Sequence, residues 1–100
     1  MEKKNIDEKT KKKIISLISA LFPNTKIYLF GSRARGNHAQ WSDIDIALDA
    51  GKRIPSEDVG EIISVLEGTN LPYKIEVVDI HHVSDEMKES ILEEGILWKE

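Results

Sequence analysis

The sequence predicts an α+β domain in which a small mixed β-sheet has helices packed on one face. Two observations lead to this class. Helical and strand-like apolar patterns follow each other in the order helix, strand, strand, helix, strand, helix, and the chain of 100 residues is long enough for one modest core. We therefore expect residues 1–100 to form a single domain whose second sheet face is open for a site.

The first half of the chain contains one predicted helix and two predicted strands. Apolar residues within 14–22 recur at helical spacing, and Asp7 is the expected N-cap of that helix. The apolar segment 26–30 predicts a strand, and alternating polar and apolar residues predict a second strand over 43–48. Between the strands, the small and basic residues 32–35 favour one short helical turn.

The second half repeats the alternation of helix and strand. Ser56 is the expected N-cap of a helix that ends at Gly68. A third strand follows over 73–80, and Ser84 caps a last helix. Residues 96–98 then form either a short strand or a packing tail.

Composition excludes several classes of protein. The chain has 14 Lys and Arg against 18 Asp and Glu, and this net charge of -4 argues against a protein that coats nucleic acid. It has no cysteine, so disulfides, thiolate metal sites and thiol nucleophiles are absent. No apolar run reaches membrane-spanning length. We expect a cytoplasmic protein without a membrane partner, and a domain this small can also oligomerise.

The pattern Asp43-Ile44-Asp45 is the first candidate for chemistry. Residues two apart in a strand project from the same face, with Cα atoms roughly 6.6 Å apart, so the two carboxylates are held together. Such hard oxygen donors suit Mg²⁺ or Mn²⁺. The alternative for this common pattern is an ordinary solvated strand face.

The segment Gly31-Ser32-Arg33-Ala34-Arg35-Gly36 is the second candidate. Gly31 permits close backbone approach at the strand end, where the free N–H groups of the next turn form an anion site. The Ser32 hydroxyl, Arg33 and Arg35 add donors for a phosphate group. The alternative is a helix cap with surface arginines.

Taken together, these motifs resemble a known family. Gly31-Ser32, ten intervening residues and Asp43-x-Asp45 are similar to the signature of the DNA polymerase β-like nucleotidyltransferase superfamily, and the short chain is similar to its minimal nucleotidyltransferase branch. The resemblance covers about residues 14–98 and implies that fold. It also implies that the Gly-Ser turn holds the phosphates of ATP or another NTP, and that Asp-x-Asp and a third carboxylate bind two divalent metals.

The third carboxylate is either Glu76 or Asp79, and strand parity favours Glu76. Ile75 and Val77 share a face with Asp79, so Glu76 lies on the opposite face, with the metals. The family usually has Asp at this position, which makes Glu76 a departure by one methylene.

Other candidates are given structural roles. His81 and His82 are expected to be exposed loop residues and Asp49 a turn residue. Trp41 either stacks on a base or, as is commoner for such a residue, packs to anchor its loop.

The resemblance also implies a reaction and a partner. Superfamily members move a nucleoside monophosphate from an NTP to a hydroxyl and release pyrophosphate. Minimal members often pair with a helical HEPN protein in toxin–antitoxin pairs, where the nucleotidyltransferase modifies its partner with AMP. Two alternatives stay open: a catalytically weak subunit that neutralises a partner by contact, and a regulatory nucleotide-binding domain without turnover.

Overall fold

The computed structural model describes residues 6–100, in which four helices alternate with four strands. In chain order these are α1 (Glu8–Leu21), β1 (Lys26–Phe30), α2 (Gly31–Arg35), β2 (Ile44–Asp49), α3 (Ser56–Glu67), β3 (Ile75–Asp79), α4 (Asp85–Glu94) and β4 (Ile96–Lys99). Within this range, no helix combines the length and the apolar character needed to cross a bilayer.

The strands form one mixed sheet in the order β3-β2-β1-β4. β1 is antiparallel to both β2 and β4, whereas β2 and β3 run parallel. The α+β class and the mixed sheet predicted from the sequence are confirmed. The segment 96–98, which had two interpretations, belongs to a strand that pairs with β1.

The main core lies between one sheet face and helices α1 and α3. The inward residues of these elements are almost completely buried, as the periodicity predicted: Ile14, Ile18, Ile27, Leu29, Ile44, Ile46, Leu48, Ile62 and Leu66. Truncating one such side chain to Ala costs about 2–5 kcal/mol. This layer therefore anchors one face of the sheet.

The second sheet face carries a smaller apolar cluster. Ala47, Ile80 and Ile91 are buried there, with Tyr28 and Phe30 packed against them. Because Ile91 belongs to α4, this helix covers part of the face that the sequence suggested was entirely open. Residues closer to the start of β2 and β3 remain accessible on this side.

Helix capping follows the sequence at two of three predicted positions. The Asp7 carboxylate accepts a hydrogen bond from the Thr10 N–H at 3.0 Å, and Ser84 caps α4 in the same way. The prediction for Ser56 is wrong by one residue. Pro55 is the N-cap of α3 and Ser56 is its first helical residue, because the fixed φ of proline (-55° here) suits the helix entrance.

Candidate active site

The turn between β1 and α2 brings the two sequence motifs together. Phe30 ends the strand and Gly31 begins the helix without a connecting loop. Gly31 has φ +74°, a conformation that glycine adopts without strain. A Cβ atom at Gly31 would overlap the carboxylate of Asp45. The backbone before Ser32 therefore lies directly against the second aspartate of the Asp-x-Asp motif.

Asp45 and Glu76 are neighbours across the parallel strands β2 and β3. They are paired in the register, so their side chains project from the same face. Asp79 pairs with Leu48 and belongs to the opposite face. The structure thus places Glu76 on the side that strand parity predicted, while its role as a metal ligand stays a prediction. Glu76 is exposed and its Oε1 lies 3.5 Å from the Lys74 Nζ.

The electrostatics of Asp45 differ from those of an ordinary aspartate. The pKa of Asp45 is raised to about 6, and burial is the largest cause. Smaller contributions in the same direction come from the charge of Glu76, a hydrogen bond with Glu76 and the charge of Asp43. The guanidinium of Arg35 opposes them by lowering the pKa. Two carboxylates this close favour either a shared proton or a cation between them.

The carboxylates of Asp43, Asp45 and Glu76 have the donor chemistry that suits a hard divalent cation. Asp43, Asp45 and Glu76 offer only carboxylate oxygens, which are the ligands that Mg²⁺ and Mn²⁺ prefer. Across residues 6–100, however, no three acidic or histidine side chains converge as a ready-made metal site. Asp43 is exposed just before β2.

Arg33 occupies a different environment from the one expected for a phosphate ligand. Its side chain is buried, and the residue is 3% exposed. The guanidinium donates to the Gln40 carbonyl at 2.9 Å and to the Ser42 carbonyl at 3.0 and 3.1 Å. These bonds fasten the loop between α2 and β2. The geometry favours a positioning role for Arg33, and contact with phosphate is not needed to explain its burial.

Arg35 and Ser32 remain near the site. Arg35 is exposed and its Nη1 lies 3.5 Å from the Glu94 Oε2, a weak surface ion pair. Its positive charge lowers the pKa of Asp45, so Arg35 acts electrostatically on the carboxylates. Ser32 is partly exposed in the first turn of α2. Both side chains are available to an anion held against the turn.

The Asp79 carboxylate has a structural role. It is buried, and its two oxygens accept from the Ile54 N–H at 2.6 Å and the His81 N–H at 2.9 Å. These bonds tie the loop before α3 to the end of β3. A side chain so engaged cannot reach the face that carries Asp45.

The end of β2 contains a pair that the sequence did not reveal. The His81 Nε2 lies 2.7 Å from the Asp49 Oδ1. Burial raises the pKa of Asp49, but hydrogen bonds from the Gly51 N–H and from His81, with the charge of His81, outweigh it and hold the pKa below its ordinary value. His81 is therefore not the exposed loop histidine that was predicted. The only signal was that Asp49 shares strand parity with Asp45.

The fold and this site define a nucleotide-transferring class of domain: a Gly-Ser turn after the first strand, set against an Asp-x-Asp on the next strand of a mixed sheet. Residues 12–100 match the sequence profile of the family described as Polymerase beta, Nucleotidyltransferase. The chain belongs to this family, and more specifically to its minimal nucleotidyltransferase branch. The predicted enzyme class, nucleotidyltransferase, is confirmed.

Three known proteins illustrate the similarity. The Probable protein adenylyltransferase MntA of Haemophilus influenzae is 22% identical over 76 residues, which are 76% of this chain and 67% of that protein. A chain in the crystal structure of a toxin–antitoxin with AMP-PNP is 29% identical, with a TM-score of 0.76 over 88% of this chain and 71% of that one. A chain in the structure of a tri-AMPylated Shewanella oneidensis HEPN toxin with an MNT antitoxin is 26% identical, with a TM-score of 0.73 over 93% and 71%.

Proposed function

We propose that this protein is a divalent-metal-dependent nucleotidyltransferase that transfers AMP from ATP to a hydroxyl of a HEPN-type partner, and so acts as the antitoxin of a toxin–antitoxin pair. One observation carries the proposal. Asp45, with a pKa raised to about 6, lies between Glu76 and the bare backbone of Gly31. A carboxylate pair beside a turn that suits phosphate is the arrangement that metal-bound triphosphate requires.

Each residue of the site has a distinct task in this proposal. The Gly31 backbone and the Ser32 hydroxyl hold the triphosphate, and Arg35 adds a positive charge once it leaves Glu94. Asp43, Asp45 and Glu76 hold two Mg²⁺ or Mn²⁺ ions. Those ions, when bound, lower the pKa of the attacking hydroxyl and neutralise charge on the leaving group.

The reaction is a displacement at the α-phosphorus. The acceptor oxygen forms a bond to the α-phosphorus, the bond from that phosphorus to the bridging oxygen breaks, and pyrophosphate leaves. The hydroxyl proton goes to water. Metal ions held by Asp43, Asp45 and Glu76 would activate the hydroxyl, so the proposal requires no separate histidine base.

The partner is inferred from two lines of support. Solved complexes with TM-scores of 0.76 and 0.73 to this chain are toxin–antitoxin structures, and one contains an AMPylated HEPN toxin. The described residues are also almost entirely used in the sheet, its helices and the turn. A helical partner would supply the acceptor hydroxyl and the remaining wall of the site.

A subunit that neutralises its partner by contact alone is the second candidate. It is favoured by the lack of a converged metal group among residues 6–100. This candidate predicts a tight complex with no nucleotide chemistry.

The decisive experiment follows the fate of each phosphate. The protein is incubated with Mg²⁺ and ATP labelled at either the α- or the γ-phosphate, with and without a HEPN-type helical protein as the candidate partner. We expect the partner to acquire α-label and no γ-label, and we expect little label on any acceptor when the partner is omitted.

The matched controls are Asp45→Asn and Asp49→Asn, two identical changes four residues apart on one strand. Only the first should stop labelling. A tight complex that never acquires label would establish the contact-only subunit, whereas nucleotide binding without pyrophosphate release would indicate a regulatory domain.

A further inference from the structure

Strand β3 forms one edge of the sheet, and within residues 6–100 it pairs with β2 alone. The Lys74 carbonyl accepts from the Ile44 N–H at 2.9 Å, and the Ile80 N–H donates to the Leu48 carbonyl at 2.9 Å. Backbone groups of successive residues point to opposite sides of a strand. The even-numbered residues of β3 therefore bond to β2, and the odd-numbered residues direct their N–H and C=O groups away from the sheet.

Ile75 and Val77 present these outward backbone groups at the edge. Across residues 6–100, neither residue forms a backbone hydrogen bond on the outer side of the strand. The next outward carbonyl, that of Asp79, already accepts from the His82 N–H at 2.9 Å. The open part of the edge is thus a short row of donors and acceptors, to which an extended chain can add as a further strand.

Helix α3 lies beside this edge, and two cavities lie between them. The larger, of about 310 Å³, is lined by Gly60 and Ile63 of α3 and by Val77 of β3. The smaller, of about 180 Å³, is lined by Leu66 of α3 and by Ile75 of β3. We call this pair of cavities the α3–β3 groove. Side chains on one face of an added strand repeat every roughly 6.6 Å, so they would reach the two cavities in turn.

Gly60 keeps the larger cavity open. It stands inside α3, where glycine is less favourable than alanine, and its φ is not positive. A Cβ atom at Gly60 would meet no other segment of residues 6–100 within 4 Å. Neither the backbone conformation nor the packing of the described chain therefore requires glycine here. The missing side chain leaves room for a group that enters from outside.

The end of the groove next to the end of β3 is positively charged. His82 lines the larger cavity, and its Nε2 lies 3.5 Å from the Arg53 Nη2. Lys52 and Arg53 are exposed, and neither forms an ion pair within the part of the chain that the structure describes. An acidic side chain of an occupant would meet these cations, which favours an acidic segment over a basic one.

We propose that the α3–β3 groove binds an extended segment of a partner protein, which adds to β3 as a fifth strand. The segment forms main-chain hydrogen bonds with Ile75 and Val77. Its apolar residues, at alternate positions, enter the two cavities, and an acidic residue at one end meets Arg53 and His82. This inference does not depend on the proposed transfer reaction, because no residue that lines the groove belongs to the candidate active site.

The test begins with a phage-displayed library of short random peptides that is selected against the protein. We expect the enriched peptides to alternate apolar and polar residues and to carry Asp or Glu at one end. The tightest peptide is synthesised and added to the ¹⁵N-labelled protein, and amide hydrogen exchange is followed by NMR. Exchange of the Ile75 and Val77 amides should slow at least about tenfold. The Glu76 and Val78 amides, which already bond to β2, should change far less.

Two matched variants of α3 test the cavity. Gly60→Met and Glu61→Met place the same side chain at neighbouring exposed positions, about 100° apart around the helix. Gly60→Met fills the cavity and should weaken binding of the peptide at least about tenfold, whereas Glu61→Met should stay within about twofold. Methionine favours helices, so we expect both variants to fold. Arg53→Gln should weaken binding about threefold, because it removes a charge at the rim.

Several results would overturn the inference. If no motif is enriched, or if Gly60→Met binds the peptide as tightly as the parent protein, the groove is not a peptide site. Equal protection of all four amides indicates general stabilisation without strand addition. Protection of Ile75 and Val77 that rises with protein concentration in the absence of peptide assigns the edge to a second copy of this chain. None of these results changes label transfer, which the comparison of Asp45→Asn with Asp49→Asn tests separately.

Discussion

The two ends of strands β2 and β3 carry the same kinds of side chain and use them in opposite ways. At the start of the strands, Asp45 and Glu76 lie side by side, and the pKa of Asp45 is raised to about 6. At their ends, Asp49 and Asp79 accept hydrogen bonds from backbone N–H groups and from His81. The pKa of Asp49 is lowered there.

This contrast shows how a functional carboxylate differs from a structural one in the same sheet. A carboxylate whose oxygens accept hydrogen bonds from nearby N–H groups stabilises the fold and is not available to bind a ligand. A carboxylate whose nearest neighbour is another carboxylate destabilises the fold and is open to a cation. Substitutions at the two ends should therefore move activity and stability in opposite directions.

The largest effect is expected at Asp45. Asp45→Asn removes an oxygen to which we assign metal binding, and it should reduce transfer of α-label to the partner at least about 100-fold, since even changes around a metal ligand cost about 10–100-fold. Asp49→Asn should leave the rate within about threefold, because Asp49 belongs to the structural end. An equal loss of transfer rate in the two variants would contradict the assignment of a functional carboxylate to the start of β2 and a structural one to its end.

The second comparison sets Glu76 against Asp79. Glu76→Gln should lower the transfer rate about 10–100-fold with little change in thermal stability. Asp79→Asn places an amide against two backbone donors and should cost about 1–3 kcal/mol of unfolding free energy while the rate per folded molecule is retained. Rate assays and thermal melts of both variants check this pair, and an inactive Asp79→Asn beside a normal Glu76→Gln would reassign the third carboxylate.

Metal affinity should also depend on pH through Asp45. Below its pKa of about 6 this carboxylate is protonated, so a metal ion must displace the proton before it binds. Calorimetry with Mn²⁺ and ATP should show about tenfold weaker metal binding at pH 5 than at pH 7. In the same titration, Asp45→Asn should bind the metal weakly, with an affinity that is nearly the same at both pH values. If the metal affinity of the parent protein does not change with pH, Asp45 is not a metal ligand.

The smallest effects concern stability without metal. The raised pKa of Asp45 means that this residue disfavours the folded state above about pH 6, and that this penalty disappears as the pH falls toward its ordinary value of 3.8. Asp45→Asn should therefore raise the Tm by about 2–4 °C at pH 7, a value reduced by solvent screening, and have no such effect at pH 4.

Asp49 should behave in the opposite sense. Its lowered pKa means that its contribution to stability is present above the ordinary value of 3.8 and is lost as the pH falls through the folded-state pKa. Asp49→Asn should lower the Tm at pH 7 by about 2–4 °C, and in acid the Tm of the variant should approach that of the parent protein. Melting curves from pH 3 to 8 compare both variants, and shifts of the same sign would contradict the contrast.

The features predicted from the sequence are those set by local periodicity. Alternation along β3 placed Glu76 and Asp79 on opposite faces, and the register of the sheet agrees. Helical spacing located the core residues of α1 and α3. Which side chains share a face depends only on their spacing within one helix or strand, so it can be read from the sequence.

The features that escaped prediction depend on contacts between distant segments. Arg33 and Arg35 are equivalent in the sequence motif, but residues two apart on a helical turn point about 200° away from each other. Arg33 is buried under a loop, whereas Arg35 is exposed beside Glu94. Likewise, only the assembled sheet brings His81 to Asp49, and no spacing rule connects them.

The place of β1 between β2 and β4 has a consequence for protein synthesis. Leu29 of β1 pairs with Ile96 of β4, so one edge of the strand stays uncovered until residues 96–99 have been made. At about 5–20 residues per second, the nascent chain presents this apolar edge for several seconds after β1 leaves the ribosome. Unpaired edges of this kind attract other extended chains. The order in which the sheet is completed therefore predicts that the yield of folded protein is sensitive to slow codons between β1 and β4.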